Sequence, residues 1–128
     1  MYYKIALIAT AFALLGGCRT APIHNVSDAP VVVAAGKQAT TDDVKMAILR
    51  AGGNLGWQMT QTGPGLINAR IALRGHTASV DVNYNTKTYT ITYRDSTNLD
   101  ASGGQIHKNY NGWIENLDRD IRAQLLLI

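Results

Sequence analysis

The 128-residue sequence predicts an α+β fold, with a four-stranded antiparallel sheet and two helices on one of its faces. Two segments, one near residue 41 and one at the C-terminal end, place apolar residues at helical spacing. Four segments between them alternate apolar and polar side chains and are joined by short turns, which is typical of antiparallel strands with one covered face. The predicted order is therefore α-β-β-β-β-α, forming two layers in a single domain over residues 41–128.

The first predicted helix begins at Thr40 or Thr41, because a threonine can cap the first turn and two aspartates follow it near the positive helix end. Gly52 and Gly53 predict its end, since glycine adopts the left-handed conformation that closes many helices. One face of this helix is predicted to be buried. Its apolar residues are Val44, Ala47, Ile48, Ala51 and Leu55.

The four predicted strands span residues 57–62, 66–74, 77–84 and 88–94. Glycine, proline and asparagine between them predict tight turns. One face of each strand is apolar and would pack under the helices. In the last three strands the inward positions are Ile67, Ala69, Ile71, Leu73, Ala78, Val80, Val82, Tyr84, Tyr89, Ile91 and Tyr93.

The last predicted helix runs from about Gln105 to Leu125. Ser102 precedes Gln105 by three residues, which is the spacing of a capping box. Apolar residues recur along this helix at intervals of three and four and predict its buried face. They are Ile106, Tyr110, Trp113, Ile114, Leu117, Ile121 and Leu125.

The composition excludes several classes of protein. Hydrophobic residues make up 46% and charged residues 16% of the chain, which indicates a globular domain rather than a disordered chain. The formal net charge of +3 gives no reason to expect binding to nucleic acid, and we predict none. A single cysteine excludes an intrachain disulfide and a four-thiolate metal site.

Residues 1–17 have the pattern of an export signal. Lys4 provides a short positive segment, residues 5–15 are apolar and uncharged, and Gly16 and Gly17 are small residues suited to a cleavage site. A helix of this apolar length would rise about 16 Å, well short of the ~30 Å hydrocarbon core of a bilayer. The segment therefore predicts export with removal of the signal rather than a permanent transmembrane helix.

Residues Leu15, Gly16, Gly17 and Cys18, directly after the apolar segment, resemble a bacterial lipobox. The resemblance implies that the Cys18 thiol receives a diacylglyceryl group, that the signal is cut between Gly17 and Cys18, and that the new α-amine is acylated. Several acyl chains on one residue would anchor the protein stably to a membrane. In lipoproteins of this type, an aspartate directly after the cysteine favours retention in the inner membrane. This chain has Arg19 at that position, so the resemblance implies that the protein is located on the periplasmic side of the outer membrane.

Residues 18–40 are predicted to form the lipidated cysteine and a tether to the folded domain. Pro22, Pro30 and many small or polar residues are typical of a flexible linker. The valines at 31–33 are an exception and suit either a short edge strand or docking onto the domain, with Pro30 compatible with an edge position.

Three histidines, His24, His76 and His107, are the candidates for acid–base chemistry or metal binding. They share no metal-ligand spacing, and the chain has no recognisable nucleophile motif. We therefore predict no enzyme activity, no metal and no cofactor. Because His76 and His107 both lie near the ends of predicted elements, an alternative is a small-ligand binder or weak hydrolase that uses these two side chains.

Arg70, Arg74, Asp81 and Arg94 are predicted to project from the polar face of the sheet. Such a face is usually only solvated, but arginine is common in protein interfaces. With His76 and His107 these residues form the candidate binding surface. The predicted function is a non-catalytic binding or envelope-assembly module with an unidentified envelope protein partner. An uncharged sheet edge would also suit self-association, so the oligomeric state is left open.

Several short segments of the predicted domain are also similar to one group of proteins. The domain resembles small proteobacterial lipoproteins of unknown activity. The segments that carry this resemblance are Ile106–Trp113, Gly56 with Trp57, the Arg74–His76 turn and Tyr93–Ser96. The resemblance implies a periplasmic lipoprotein domain and no particular activity. His107 and Asn111 lie four residues apart on one face of the last helix, where we expect them to bind the backbone of a neighbouring loop.

Overall fold

A computed structural model describes residues 19–128, so the predicted signal and Cys18 lie outside the described residues. The strands and helices follow the order β-β-α-β-β-β-β-β-α rather than the predicted order α-β-β-β-β-α. They are β1 (Thr20–Pro22), β2 (Val26–Pro30), α1 (Thr41–Asn54), β3 (Gln58–Gly63), β4 (Leu66–Leu73), β5 (His76–Tyr84), β6 (Thr88–Thr97), β7 (Gln105–His107) and α2 (Lys108–Leu125).

The main sheet has five antiparallel strands in the order β2-β6-β5-β4-β3, so the prediction of a four-stranded sheet is wrong. The additional strand, β2, comes from residues 26–30, within the segment predicted to be a tether. Val26 pairs with Ile91 of β6, and the register shifts before Ala29. Asp28 lies at this irregularity with a φ of 49°. Its N–H donates to Thr90 Oγ1 at 3.0 Å.

A second, two-stranded sheet forms where the sequence predicts the first turn of the last helix. Residues 105–107 are strand β7, which pairs antiparallel with β1. Ser102 and Gln105 exchange two backbone hydrogen bonds of 3.0 Å across Gly103 and Gly104. Both glycines have positive φ values, 58° and 78°, as a type I′ hairpin turn requires. The two residues therefore close a turn instead of capping a helix, and α2 begins only at Lys108.

Helix α1 has the predicted cap. Thr40 Oγ1 accepts a hydrogen bond from the backbone N–H of Asp43 at 3.1 Å, and Asp43 Oδ2 accepts one from the Thr40 N–H at 2.9 Å. These bonds lower the pKa of the Asp43 carboxyl below its usual value. The helix continues past Gly52 to Asn54. Gly52 instead packs against β3, where an added Cβ would overlap the Met59 side chain and force that side chain to move.

The core lies between the two helices and one face of the main sheet. The predicted inward positions are largely confirmed, but Leu55 and Leu73 remain 38% and 44% exposed at the ends of their elements. Val26 of β2 adds to the core from the N-terminal segment, at 9% exposure. The side chains with almost no exposure include Val44, Ile48, Ile67, Val80, Tyr89, Ile91, Ile106, Tyr110, Ile114, Leu117, Ile121 and Leu125.

Two alanine substitutions test whether β2 belongs to the fold. Val26→Ala removes buried methyl groups and is expected to lower the free energy of unfolding by about 1–2 kcal/mol. Val32→Ala is the matched control, because Val32 is 55% exposed, and a change within about 0.5 kcal/mol is expected. Urea unfolding of the soluble chain from Arg19 onward measures both. Equal effects of the two substitutions would contradict the assignment of β2 to the core.

Candidate functional site

The face of the main sheet opposite the helices holds three of the six predicted binding residues, Arg70, Asp81 and Arg94. The strand register places Asn68, Asp81 and Thr92 side by side across β4, β5 and β6. The next row toward the ends of these strands contains Arg70, Ser79 and Asp95. Because residues opposite one another in a sheet point to the same side, the two rows form one continuous polar surface. We call it the open face, defined as Asn68, Arg70, Ser79, Asp81, Thr92, Arg94 and Asp95.

Hydrogen bonds hold the side chains at the centre of the open face in place. Asn68 Nδ2 lies 2.9 Å from Ser79 Oγ and 3.3 Å from Asp81 Oδ1. Arg94 Nη1 donates to the same Asp81 oxygen at 3.3 Å. The Arg94 side chain is still 58% exposed, so its ion pair with Asp81 contributes little to stability and leaves most of the guanidinium accessible.

A β-bulge determines where Arg94 and Asp95 point. Ser79 pairs with Asp95 and Val80 pairs with Tyr93, so Arg94 is an additional residue in β6. In a bulge two residues of one strand oppose a single residue of the other, and here both lie on the side of Ser79. The predicted outward position of Arg94 is therefore confirmed. Asp95 was predicted to begin a loop, and no periodicity in the sequence indicates that it joins this surface.

The open face carries charged, amide and hydroxyl groups that can recognise another protein. Two arginines and two aspartates give it charges of both signs, and amide and hydroxyl groups lie between them. The larger clefts in the described part of the chain, of about 350, 320 and 300 Å³, lie elsewhere, around residues 31–39, 61–65 and 83–90. A flat surface of this composition can form charge-assisted hydrogen bonds with another protein.

Arg74 does not lie on the open face. Strand β4 ends at Leu73, and Arg74 and Gly75 form the tight turn into β5, with φ values of 52° and 80°. The predicted strand end at residue 74 is therefore one residue too long. The turn places the exposed Arg74 side chain at one end of the sheet, away from Arg70 and Arg94.

His76 and His107 both lie beside the loop that follows β6, and each ring binds a backbone atom, in the loop for His76 and at the start of α2 for His107. His76 Nδ1 lies 2.7 Å from the carbonyl oxygen of Asn98, so this nitrogen donates. His107 Nδ1 accepts from the N–H of Asn109 at 3.2 Å and caps α2, while the His107 N–H donates to Leu99 O at 2.7 Å. The two rings therefore have structural partners.

Four clefts lie among the described residues, and neither histidine lines any of these four. A small apolar cleft of about 50 Å³ is lined by Leu55, Trp57, Ile71, Trp113 and Asn116. The larger clefts also contain none of the predicted site residues. Within residues 19–128 no group of three or more His, Cys, Asp or Glu side chains is placed to hold a metal ion. The arrangement thus offers no support for a hydrolytic centre at His76 and His107.

Asn111 joins α2 to the N-terminal segment, as the sequence predicts. Its Nδ2 donates to the carbonyl oxygen of Pro22 at 2.9 Å, and its Oδ1 accepts from the backbone N–H of His24 at 3.0 Å. The expectation that Asn111 binds a neighbouring backbone is therefore confirmed, whereas His107 binds within its own helix end. His24 lies on the connection between β1 and β2 and contributes its backbone to this contact.

Two buried tyrosines are the other titratable groups of note. Tyr89 donates from its hydroxyl to Asp118 Oδ1 at 2.5 Å, and Arg122 pairs with the other oxygen of that carboxylate at 3.4 Å. Burial, reinforced by the Asp118 hydrogen bond, raises the pKa of Tyr89. Tyr110 packs edge-on against Tyr93 at 5.5 Å, and burial raises its pKa as well. The Tyr110 hydroxyl has no hydrogen-bond partner among the described residues.

No protein-family model, curated protein or solved structure matches the chain. Within residues 19–128 no helix combines the length and the apolar character needed to cross a membrane. The similarity of residues 15–18 to a lipobox, and of the domain to small proteobacterial lipoproteins, therefore remains a prediction.

Removal of the hydroxyl from each of the two buried tyrosines is expected to have different effects on the free energy of unfolding. Tyr89→Phe loses a hydrogen bond to a carboxylate and should lower the free energy of unfolding by about 1.5 kcal/mol. Tyr110→Phe removes a buried hydroxyl that has no partner and should leave stability unchanged or raise it by up to about 1 kcal/mol. Urea unfolding at neutral pH measures both. A larger loss from Tyr110→Phe than from Tyr89→Phe would contradict this assignment.

The raised pKa values of Tyr89 and Tyr110 predict alkaline destabilisation. Folding keeps both hydroxyls protonated, so their stabilising effect is complete below the pKa of an unfolded tyrosine, about 10. It is lost progressively as the pH rises above that value, because the unfolded state then ionises more readily. Urea midpoints measured between pH 8 and pH 12 should fall less steeply for the Tyr89→Phe, Tyr110→Phe double variant. Identical slopes would show that other groups cause the alkaline transition.

Proposed function

We propose that this protein is an exported lipoprotein, anchored by acyl chains on Cys18 to the periplasmic side of the outer membrane. Its folded domain is a non-catalytic binding module for an envelope protein, which it contacts through the open face. The observation on which the anchor rests is the lipobox-like sequence from Leu15 to Cys18 after an apolar segment. It is the most specific motif in the chain.

The described fold is compatible with cleavage before Cys18. Strand β1 begins at Thr20, and every strand and helix of the described part uses residues that remain in the chain after such a cleavage. A mature protein beginning at Cys18 would retain the core, the sheet register and the open face. Acylation would therefore add a membrane anchor without removing any element of the domain.

The open face is supported as the binding surface by its accessibility and its chemistry. Arg70 lies on the central strand β4, where paired residues on both sides hold the backbone rigid, and the Arg94 side chain is held by its hydrogen bond to Asp81. Residues on rigid elements lose less conformational freedom when they bind. Of the two outer strands, β2 is interrupted at Asp28 and ends in Pro30, both of which disfavour pairing with another chain.

A cysteine substitution tests the anchor. Wild-type protein expressed in a Gram-negative host should have the mass of the acylated chain beginning at Cys18 and should sediment with the outer membrane. Cys18→Ser should abolish both properties, because it removes the thiol that accepts the diacylglyceryl group. Arg19→Asp serves as a matched variant, since it keeps the thiol and should move the acylated protein toward the inner membrane.

The anchor proposal fails if the wild type is soluble and not acylated. Acylated wild-type protein in the inner membrane would contradict only the predicted membrane, while acylation at Cys18 would stand.

Charge reversal tests the open face. Arg70→Glu and Arg94→Glu are expected to reduce the yield of crosslinks between the lipoprotein and envelope proteins in intact cells, because they reverse the charge on the proposed contact surface. Arg50→Glu on helix α1 is the control, since Arg50 is also exposed but lies on the opposite side of the domain. Crosslink yields would be read by mass spectrometry. Equal yields from all three variants would exclude the open face as the contact.

A further inference from the structure

The residue next to Cys18 is fixed to the folded domain. The carbonyl oxygen of Arg19 accepts a hydrogen bond from the Lys108 N–H at 3.1 Å, and Thr20 pairs with His107 in the β1–β7 sheet. One peptide unit, about 3.8 Å between Cα atoms, separates Arg19 from Cys18. An acyl anchor on Cys18 would therefore be attached directly beside the N-terminus of α2. It would not be attached through a flexible tether of some twenty residues spanning about 25 Å.

Backbone contacts place this attachment point at one particular end of the sheet. The His107 N–H donates to Leu99 O at 2.7 Å, and Asn98 Nδ2 donates to Gly75 O at 2.8 Å. The attachment point, the loop over residues 98–104 and the β4–β5 turn are therefore contiguous. We call this group the proximal end and define it as Arg19, residues 73–76, residues 98–104 and residues 107–108.

The proximal end is basic and accessible. Arg19, Arg74 and Lys108 are all exposed, and Asp100 is the only carboxylate among the residues that define this end. Leu73, beside Arg74, is 44% exposed although it is a large apolar side chain. Cations next to an exposed apolar side chain suit the boundary between anionic headgroups and acyl chains.

On the basis of the proposed lipid anchor, we further propose that the domain docks directly on the membrane through the proximal end, with Arg19, Arg74 and Lys108 contacting anionic phospholipid headgroups. Attraction between exposed charges falls off over a Debye length, about 8 Å at physiological salt. An anchor one residue from the fold keeps Arg19 and Lys108, whose backbones meet at a 3.1 Å hydrogen bond, close to the bilayer surface, whereas a long tether would not.

Docking at the proximal end determines how the open face is presented. Strands β4, β5 and β6 all have one end at or beside the proximal end and extend away from it. The open face would then stand upright on the membrane. Its farther row, Asn68, Asp81 and Thr92, lies five residues from the strand ends at Leu73, His76 and Thr97 and would be about 17 Å from the bilayer. A partner that binds this face would have to lie within that distance of the bilayer surface.

Site-specific fluorescence quenching tests the docking. Cys18 is the only cysteine of the chain, so an introduced cysteine is the only free thiol in the acylated protein. Ala101→Cys places a fluorophore at the proximal end, and Thr86→Cys places one in the turn at the opposite end of the sheet. The acylated protein is reconstituted in vesicles of phosphatidylethanolamine and phosphatidylglycerol that contain a headgroup-linked quencher. Loss of fluorescence is expected at position 101 and not at position 86.

Charge variants identify the interaction that orients the domain. Arg74→Glu combined with Lys108→Glu should reduce quenching at position 101, and so should raised salt or neutral phosphatidylcholine vesicles. The matched control, Arg50→Glu on α1, should leave quenching unchanged. Equal quenching at positions 101 and 86, or no quenching at either, would overturn direct docking. Quenching at 101 that is insensitive to charge would overturn the role of the cations.

The docking experiment can succeed or fail independently of the test of the lipid anchor. If cells do not acylate Cys18, the 1,2-aminothiol of a soluble chain that begins at Cys18 can be condensed with a lipid aldehyde to a thiazolidine, with release of water. The cysteine introduced at position 101 or 86 is then again the only free thiol, and the lipid-linked chain is measured in the same vesicles. Quenching at position 101 would then support the docking surface although the proposed acylation had failed. Acylated protein without quenching at position 101 would leave the anchor intact and remove the docking proposal.

Discussion

The antiparallel pairing of the N-terminal segment with the C-terminal half of the chain is the interaction on which the rest of the structure depends. Strand β1 pairs with β7, β2 pairs with β6, and Asn111 of α2 binds the backbone between β1 and β2. These contacts complete the main sheet and close the core over Val26. They also determine the position of Arg19, and hence the position of the domain relative to an anchor on Cys18.

The two faces of the main sheet have different roles: one contributes to the stability of the fold, and the other carries the proposed binding function. One face is covered by α1 and α2, which pack against each other and bury an apolar core without a disulfide. Within residues 19–128 no helix covers the other face, and its Arg70 and Arg94 side chains remain exposed. The bulge at Arg94 enlarges this surface by turning Asp95 toward it. A partner would meet a rigid surface with charges of both signs, which favours specificity over affinity from apolar burial.

The proposed direct attachment and upright open face would together restrict where this protein can act. A lipoprotein with a long tether can search a volume of the periplasm, whereas a domain fixed beside its acyl chains remains at the bilayer surface. Its proposed partner would then be a membrane protein or another protein held at the membrane. Because both reactants would be confined to one surface, modest affinity would suffice for association at high effective concentration.

Local patterns in the sequence determined α1, α2 and the four strands β3 to β6, because period-two and period-3.6 spacing of apolar residues depends only on near neighbours. They also determined the Thr40 cap and the outward positions of Arg70, Asp81 and Arg94. Only the tertiary structure decided that residues 26–30 form a strand, because Val26 finds its partner Ile91 more than sixty residues away and has no alternating pattern around it. The tertiary structure also decided three other features. These are the bulge at Arg94, the β1–β7 sheet and the backbone partners of the histidines. Each depends on contacts between segments distant in the chain, which local spacing does not encode.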